Sequence, residues 1–142
     1  MNKKILVLMR HSIASDMYES GAKNDFERPL SQEGITKAKE QAKTLKETLG
    51  EVDIIAASPL LRAVQTAEIV AAEFNAADKI KPFPELADSM DVNGYGEIIK
   101  DLSAKHSKVI LIGHNPAISA LARELCGDYV SLSAGDYKIM ES

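Results

Sequence analysis

Three continuously apolar runs, ILVLM at 5–9, IIAA at 54–57 and VILI at 109–112, constrain this chain more than any other feature. A strand with one wet face alternates apolar and polar residues, so an unbroken run belongs to a strand covered on both faces. Between these runs the apolar spacing changes to helical. Ser31 offers an N-cap, Ile35, Ala38, Ala42, Leu45 and Leu49 follow at helical intervals, and Gly50 supplies a stop. Strands are expected at 3–9, 53–57 and 108–112, with a shorter extended piece at 80–83 and a last strand at 135–140 that need not be parallel. Ser58 as N-cap with Pro59 at the first helical position would open a second helix, whose stripe is Ala63, Ala67, Val70, Ala71 and Phe74. Tyr95, Ile98, Ile99 and Leu102 mark a third. Asn115 as N-cap and Pro116 would open a fourth, burying Ile118, Leu121, Ala122, Leu125 and Cys126 before Gly127.

Strand and helix in alternation imply right-handed crossovers and a mainly parallel sheet with helices on both faces. At 142 residues the chain is long enough for one core and short for two, so a single domain spanning 1–142 is expected. A net charge of -4 argues against general affinity for nucleic acid or anionic lipid. The first apolar run is shorter than a signal-peptide core and ends on Arg10, and no segment has the length of a membrane span, so the sequence reads as cytoplasmic. Cys126 is the only cysteine, which excludes an intrachain disulfide and suggests core filling.

In open parallel sheets, ligands bind beyond the carboxyl ends of the strands. Here those ends carry Arg10 and His11, Ser58, and Gly113 with His114, while Arg62 lies in the first turn after Ser58. A cation near a helix N-terminus opposes the helix dipole unless an anion lies close by. Four such groups at three converging strand ends point to a site for phosphate or a similar anion. His106 falls at a helix C-terminus, where a cation is welcome in any case. No two histidines stand four residues apart and the neighbouring arginines would repel a divalent cation, so no metal is expected. A glycine-rich loop ending in lysine and serine or threonine is also missing from the sequence, which argues against nucleotide use of the P-loop kind.

MRHSIAS at 9–15, ERPLSQEG at 27–34, SPLLRAVQTAE at 58–68, PEL at 84–86 and LIGHNP at 111–116 together resemble the histidine phosphatase, or phosphoglycerate mutase-like, superfamily. They look most like its short SixA-type phosphohistidine phosphatases. Ser12 departs from the glycine that many members carry after the Arg-His pair. The resemblance implies a three-layer α/β/α sandwich and a reaction without cofactor. It implies His11 as the nucleophile, kept neutral by nearby arginines, with Arg10, Arg62 and His114 holding the phosphoryl oxygens. Arg28 matches a position that reaches toward the phosphate in short members, and its alternative is a turn arginine. Glu85 matches the segment that supplies a general acid in larger members, with Asp88 near enough to compete and an exposed carboxylate as the alternative. The insertions that cap larger members are lacking, which implies an open cleft and argues against a mutase, whose phosphoryl group must be shielded from water. Three readings follow: a phosphatase of a histidine phosphotransfer domain or phosphocarrier, a phosphatase of a small phosphate ester, and a catalytically silent phosphate-binding adaptor. Tyr18, Tyr95 and Tyr129 would either line a partner surface or fill the edges of the core.

Overall fold

In the computed structural model, which describes residues 3–141, the apolar runs become the middle of one five-stranded sheet. The strands β1 (Ile5–Arg10), β2 (Ile54–Ala57), β3 (Ile80–Pro82) and β4 (Lys108–Gly113) are parallel, and β5 (Tyr137–Glu141) runs antiparallel along β1. Their order is β3-β2-β4-β1-β5. The alternation of side chains explains why the central runs are apolar throughout. Val7, Met9, Ile55, Ile110 and Ile112 face one core, whereas Leu8, Ile54, Val109 and Leu111 face the other.

After the four-residue α1 (Met17–Ser20), the main helices fall into two layers. The first core is closed by α2 (Gln32–Leu49) and α3 (Leu61–Phe74), and the second by α4 (Val92–Lys105) and α5 (Ala117–Cys126). Ser31 caps α2 by accepting from the Gly34 amide, and Gly50 ends the helix with positive φ. The result is a three-layer α/β/α sandwich with a mainly parallel sheet. No helix among the described residues is long and apolar enough to cross a membrane.

Several local expectations are corrected. β1 begins at Ile5 and continues to Arg10, whose ladder partner is Gly113. Ser58 does not cap α3; the cap position is Leu60, whose amide donates to the Ser58 hydroxyl, and that hydroxyl also pairs with His114. Asn115 does not cap α5 either: Pro116 stands at the cap, while the Asn115 amide donates to the Leu132 carbonyl and accepts from the Ser119 hydroxyl. Leu125 is 49% exposed and Cys126 only half-buried, since the last turn of α5 borders an open groove beside Ile99 and Met140 instead of packing under the sheet. Tyr95 is fully buried, whereas Tyr18 and Tyr129 are exposed.

Candidate active site at the strand ends

The chain leaves β1 toward the α2 layer and leaves β4 toward the α5 layer, so a crevice opens between these two neighbouring strands. The register places Arg10 opposite Gly113, and the His11 amide continues the ladder by donating to the Gly113 carbonyl at 3.0 Å. The Ser58 amide likewise donates to Ile112 at 3.1 Å. Three strand ends therefore finish at one level, and the cleft above them has a volume of about 510 Å³, within the range of small-molecule sites. Arg10, His11, Arg28, Arg62 and His114 all line it, together with Asp25.

His11 is buried at the base. Its Nδ1 lies 2.7 Å from the Ser12 carbonyl. A carbonyl only accepts, so Nδ1 carries the proton and Nε2 keeps its lone pair. Burial lowers the His11 pKa to about 4, and the charges of Arg62, Arg10 and Arg28 act in the same direction against the Ser12 hydrogen bond. Near neutral pH the ring is an uncharged base held in one tautomer. Ser12 itself is locked in place, its amide donating to Thr66 Oγ1 at 3.1 Å and its hydroxyl to the Gly34 carbonyl at 2.8 Å. The serine hydroxyl ties the His11 loop to α2, and the main-chain amide ties it to α3.

His114 stands beside His11, with ring centroids 5.0 Å apart. Burial and the neighbouring His11 and Arg62 lower its pKa to about 3. Its Nε2 is 2.7 Å from Ser58 Oγ, which also accepts from the Leu60 amide. With the Ser58 hydroxyl donating to Nε2 the imidazole proton sits on Nδ1, and with Nε2–H donating to the hydroxyl Nδ1 is an acceptor. That buried nitrogen and Arg10 Nε have no hydrogen-bond partner among the described residues. Both nitrogens belong to residues that line one cleft.

The three arginines come from different elements. Arg10 ends β1, its Nη1 donating to the Leu132 carbonyl at 3.3 Å. Arg62 rises from the first turn of α3. Arg28 follows a short 3-10 turn, Asp25–Glu27, and holds the Ser15 carbonyl through Nε at 2.9 Å. Asp25 joins the last two: Oδ1 accepts from Arg28 Nη1 at 3.0 Å, Oδ2 from Arg62 Nη2 at 3.0 Å, and its main-chain carbonyl from Arg62 Nη1 at 2.9 Å. Hydrogen bonding from Arg28, followed by that from Arg62, holds the Asp25 carboxyl below the usual carboxylate range. With both imidazoles neutral, the three guanidinium groups and one carboxylate leave the cleft with two net positive charges.

Of the residues singled out in the sequence, Arg28 thus reaches the cleft. Glu85 does not: it is exposed on the turn Pro84–Ala87, and its segment contributes Ala87 and Ser89 to the lining instead. Asp88 is also exposed and accepts from the Met90 amide. Sequence reasoning missed Asp25, the Ser58–His114 pair and the Tyr95 hydroxyl, which accepts from the His114 amide at 3.0 Å. The sole sequence signal for Asp25 was its position three residues before Arg28.

Comparison with known proteins agrees with this geometry. Residues 6–91 match the model of the histidine phosphatase superfamily (branch 1). The phosphohistidine phosphatase SixA of Escherichia coli is 32% identical over 120 residues, covering 84% of this chain and 72% of that protein. A solved structure of the protein histidine phosphatase SixA complexed with tungstate superposes with a TM-score of 0.80 at 29% identity, over 92% of this chain and 83% of that one. A SixA structure from Nakamurella multipartitia reaches 0.82 at 25% identity, over 99% and 86%. With a family match over more than half of its length and relatives that share both fold and sequence, this chain belongs to the histidine phosphatase superfamily and is a hydrolase of that group.

Proposed function

We propose that the protein is a metal-independent protein phosphohistidine phosphatase that works through a phosphohistidine intermediate on His11. The observation that carries this reading is the His11 ring: neutral, fixed by Ser12 in the tautomer that leaves Nε2 unprotonated, and set at the base of a cleft with three guanidinium groups. In this mechanism Nε2 attacks phosphorus in line, the bond from phosphorus to the leaving atom breaks, and water then releases phosphate from His11. Arg10, Arg62, Arg28 and His114 hold the equatorial oxygens while charge redistributes on them. Exposed Phe26 at the mouth of the open cleft favours a protein substrate, because it offers an apolar contact to whatever surrounds the phosphoryl group.

The reading is tested by phosphate release from a phosphohistidine-bearing carrier protein with chelator present, for the unaltered protein and for His11→Ala. Chelator-insensitive release that disappears in the variant is the expected result. Release that persists in His11→Ala would overturn the nucleophile, and release that stops with chelator would overturn metal independence. Inorganic phosphate binding retained by both, with no turnover of any phosphorylated substrate by the unaltered protein, would identify a silent adaptor.

A further inference from the structure

Asp25 is the one carboxylate among the cleft-lining residues. It does not behave as a spare surface acid. Each of its two oxygens accepts one hydrogen bond from a guanidinium group, and its main-chain carbonyl takes a third, so two arginines from separate elements converge on it. A carboxylate has about four lone-pair directions, and two remain. The side chain is 58% exposed, so those directions open toward solvent at the mouth, while His11 is buried at the base. In-line attack from the base sends the leaving group outward, toward the mouth.

Resting on the phosphatase reading above, we propose that Asp25 selects the leaving group: its carboxylate accepts a hydrogen bond from the N–H of a departing imidazole and disfavours any group that departs as an oxyanion. The electron balance supports this division. When the P–N bond of a phosphoimidazole breaks, the electron pair returns to the ring nitrogen that held phosphorus. The other ring nitrogen of a neutral phosphoimidazole is unprotonated, so the ring first takes a proton there from solvent; the phosphoimidazolium then loses phosphorus and leaves as neutral imidazole, and its N–H is what a carboxylate can accept. A nearby carboxylate favours that protonated ring, and no proton has to be transferred by the protein as the P–N bond breaks. An alkyl or aryl phosphate instead releases an oxygen that gathers negative charge. Beside Asp25 that charge is repelled, and the two arginines hold the carboxyl ionised, so it has no proton to give. The absence of Glu85 and Asp88 from the lining removes the other two acids considered for that task.

The test compares Asp25→Asn with the unaltered protein on N-phosphoimidazole and on p-nitrophenyl phosphate. The substitution keeps the size of the side chain and removes its charge. Any slackening of Arg28 and Arg62 should slow both substrates alike, so the ratio of the two kcat/KM values isolates the leaving group. The expected result is a fall of about 10- to 100-fold in the ratio of kcat/KM for N-phosphoimidazole to kcat/KM for p-nitrophenyl phosphate, the size of one charge-assisted hydrogen bond, on top of any loss common to both substrates. Equal losses on both substrates, or no turnover of N-phosphoimidazole by the unaltered protein, would overturn the proposal. Turnover of N-phosphoimidazole with none of a phosphohistidine carrier protein would remove the protein-substrate reading while the ratio still decides the role of Asp25.

Discussion

Tyr95→Phe removes one oxygen atom from a ring that is fully buried, and the structure says what that atom does. The hydroxyl donates to the Leu86 carbonyl at 2.7 Å and accepts from the His114 amide at 3.0 Å. Burial raises its pKa to about 12, so the hydroxyl keeps its proton at any ordinary pH and the donor role toward Leu86 is fixed. Without it, a buried carbonyl on the 84–87 turn and a buried amide at the exit of β4 both lose their partner. Each orphan costs about 1–3 kcal/mol, and some relaxation is expected, so the variant should be about 2–4 kcal/mol less stable. For a chain of this size that corresponds to a fall in Tm of roughly 6–12 °C.

Urea unfolding measures the effect directly, with an unchanged m-value as the sign that only stability has moved. Activity should fall as well, because the amide of His114 is one of the groups that fixes where the chain turns out of β4. The ring has no room to shift sideways in compensation. A Cβ on Gly113 would lie 2.6 Å from the Tyr95 ring, which places the ring directly against the last residue of β4. A loss below about 0.5 kcal/mol would refute the reasoning, since it would mean that both groups find other partners at no cost.

Three further outcomes follow from the site. His11 and His114, with pKa values lowered to about 4 and about 3, should resist protonation in the folded state; below pH 6.5 the unfolded chain takes up protons that the folded one refuses, so stability should decline as pH falls from 6.5 toward 4, by about 3 kcal/mol for His11 alone. An NMR titration of the imidazole protons checks this without interference from the ionisation of a substrate, and midpoints near 6.5 would contradict it. Gly34→Ala should be destabilised by about 3 kcal/mol, because a Cβ there would lie 2.0 Å from the Ile13 carbonyl oxygen, backbone that cannot swing aside; thermal unfolding within 2 °C of the parent would show that the α2 start can move. Ser58→Ala leaves His114 Nε2 without its hydroxyl partner and should lower kcat/KM for an aryl phosphate about three- to tenfold and Tm by about 3–9 °C, whereas unchanged kinetics would separate Ser58 from the site.

The parts of the fold that were legible in the sequence are those whose cause is local. Continuous apolar runs located β1, β2 and β4 because a strand covered on both faces leaves no polar position, and the stripe Ala63, Ala67, Val70, Ala71 and Phe74 located α3 because each residue faces the same core. The antiparallel placement of β5 was left open, since its half-buried residues sit at the sheet edge and show no decisive period. Strand ends also located the cleft, because topology alone brings Arg10, His11, Ser58 and His114 to one level. Asp25 was not legible: it lies in a stretch without periodicity, and its two partners are fixed by how that loop folds back over α3.

The two misread caps show why the remainder escaped. Ser58 and Asn115 each precede a helix and a proline, and by local rules each should cap it. In the folded chain Ser58 pairs with His114, 56 residues away, and Asn115 with Leu132, 17 residues away. A side-chain cap is worth about 1 kcal/mol, and the exposed end of a helix can turn to water instead. Leaving a buried imidazole nitrogen or a buried carbonyl unpaired costs about 1–3 kcal/mol with no water to take over. The oxygen that a cap would use is engaged as well: Asn115 Oδ1 accepts from the Ser119 hydroxyl, and Ser58 Oγ accepts from the Leu60 amide ahead of the helix. Polar residues at the carboxyl ends of buried strands are where this competition arises, so local cap rules should fail at the floor of a site more often than at any other helix start. Ser31 supplies the contrast: it lies partly exposed, away from the cleft lining, and its hydroxyl caps α2 as the local rule requires.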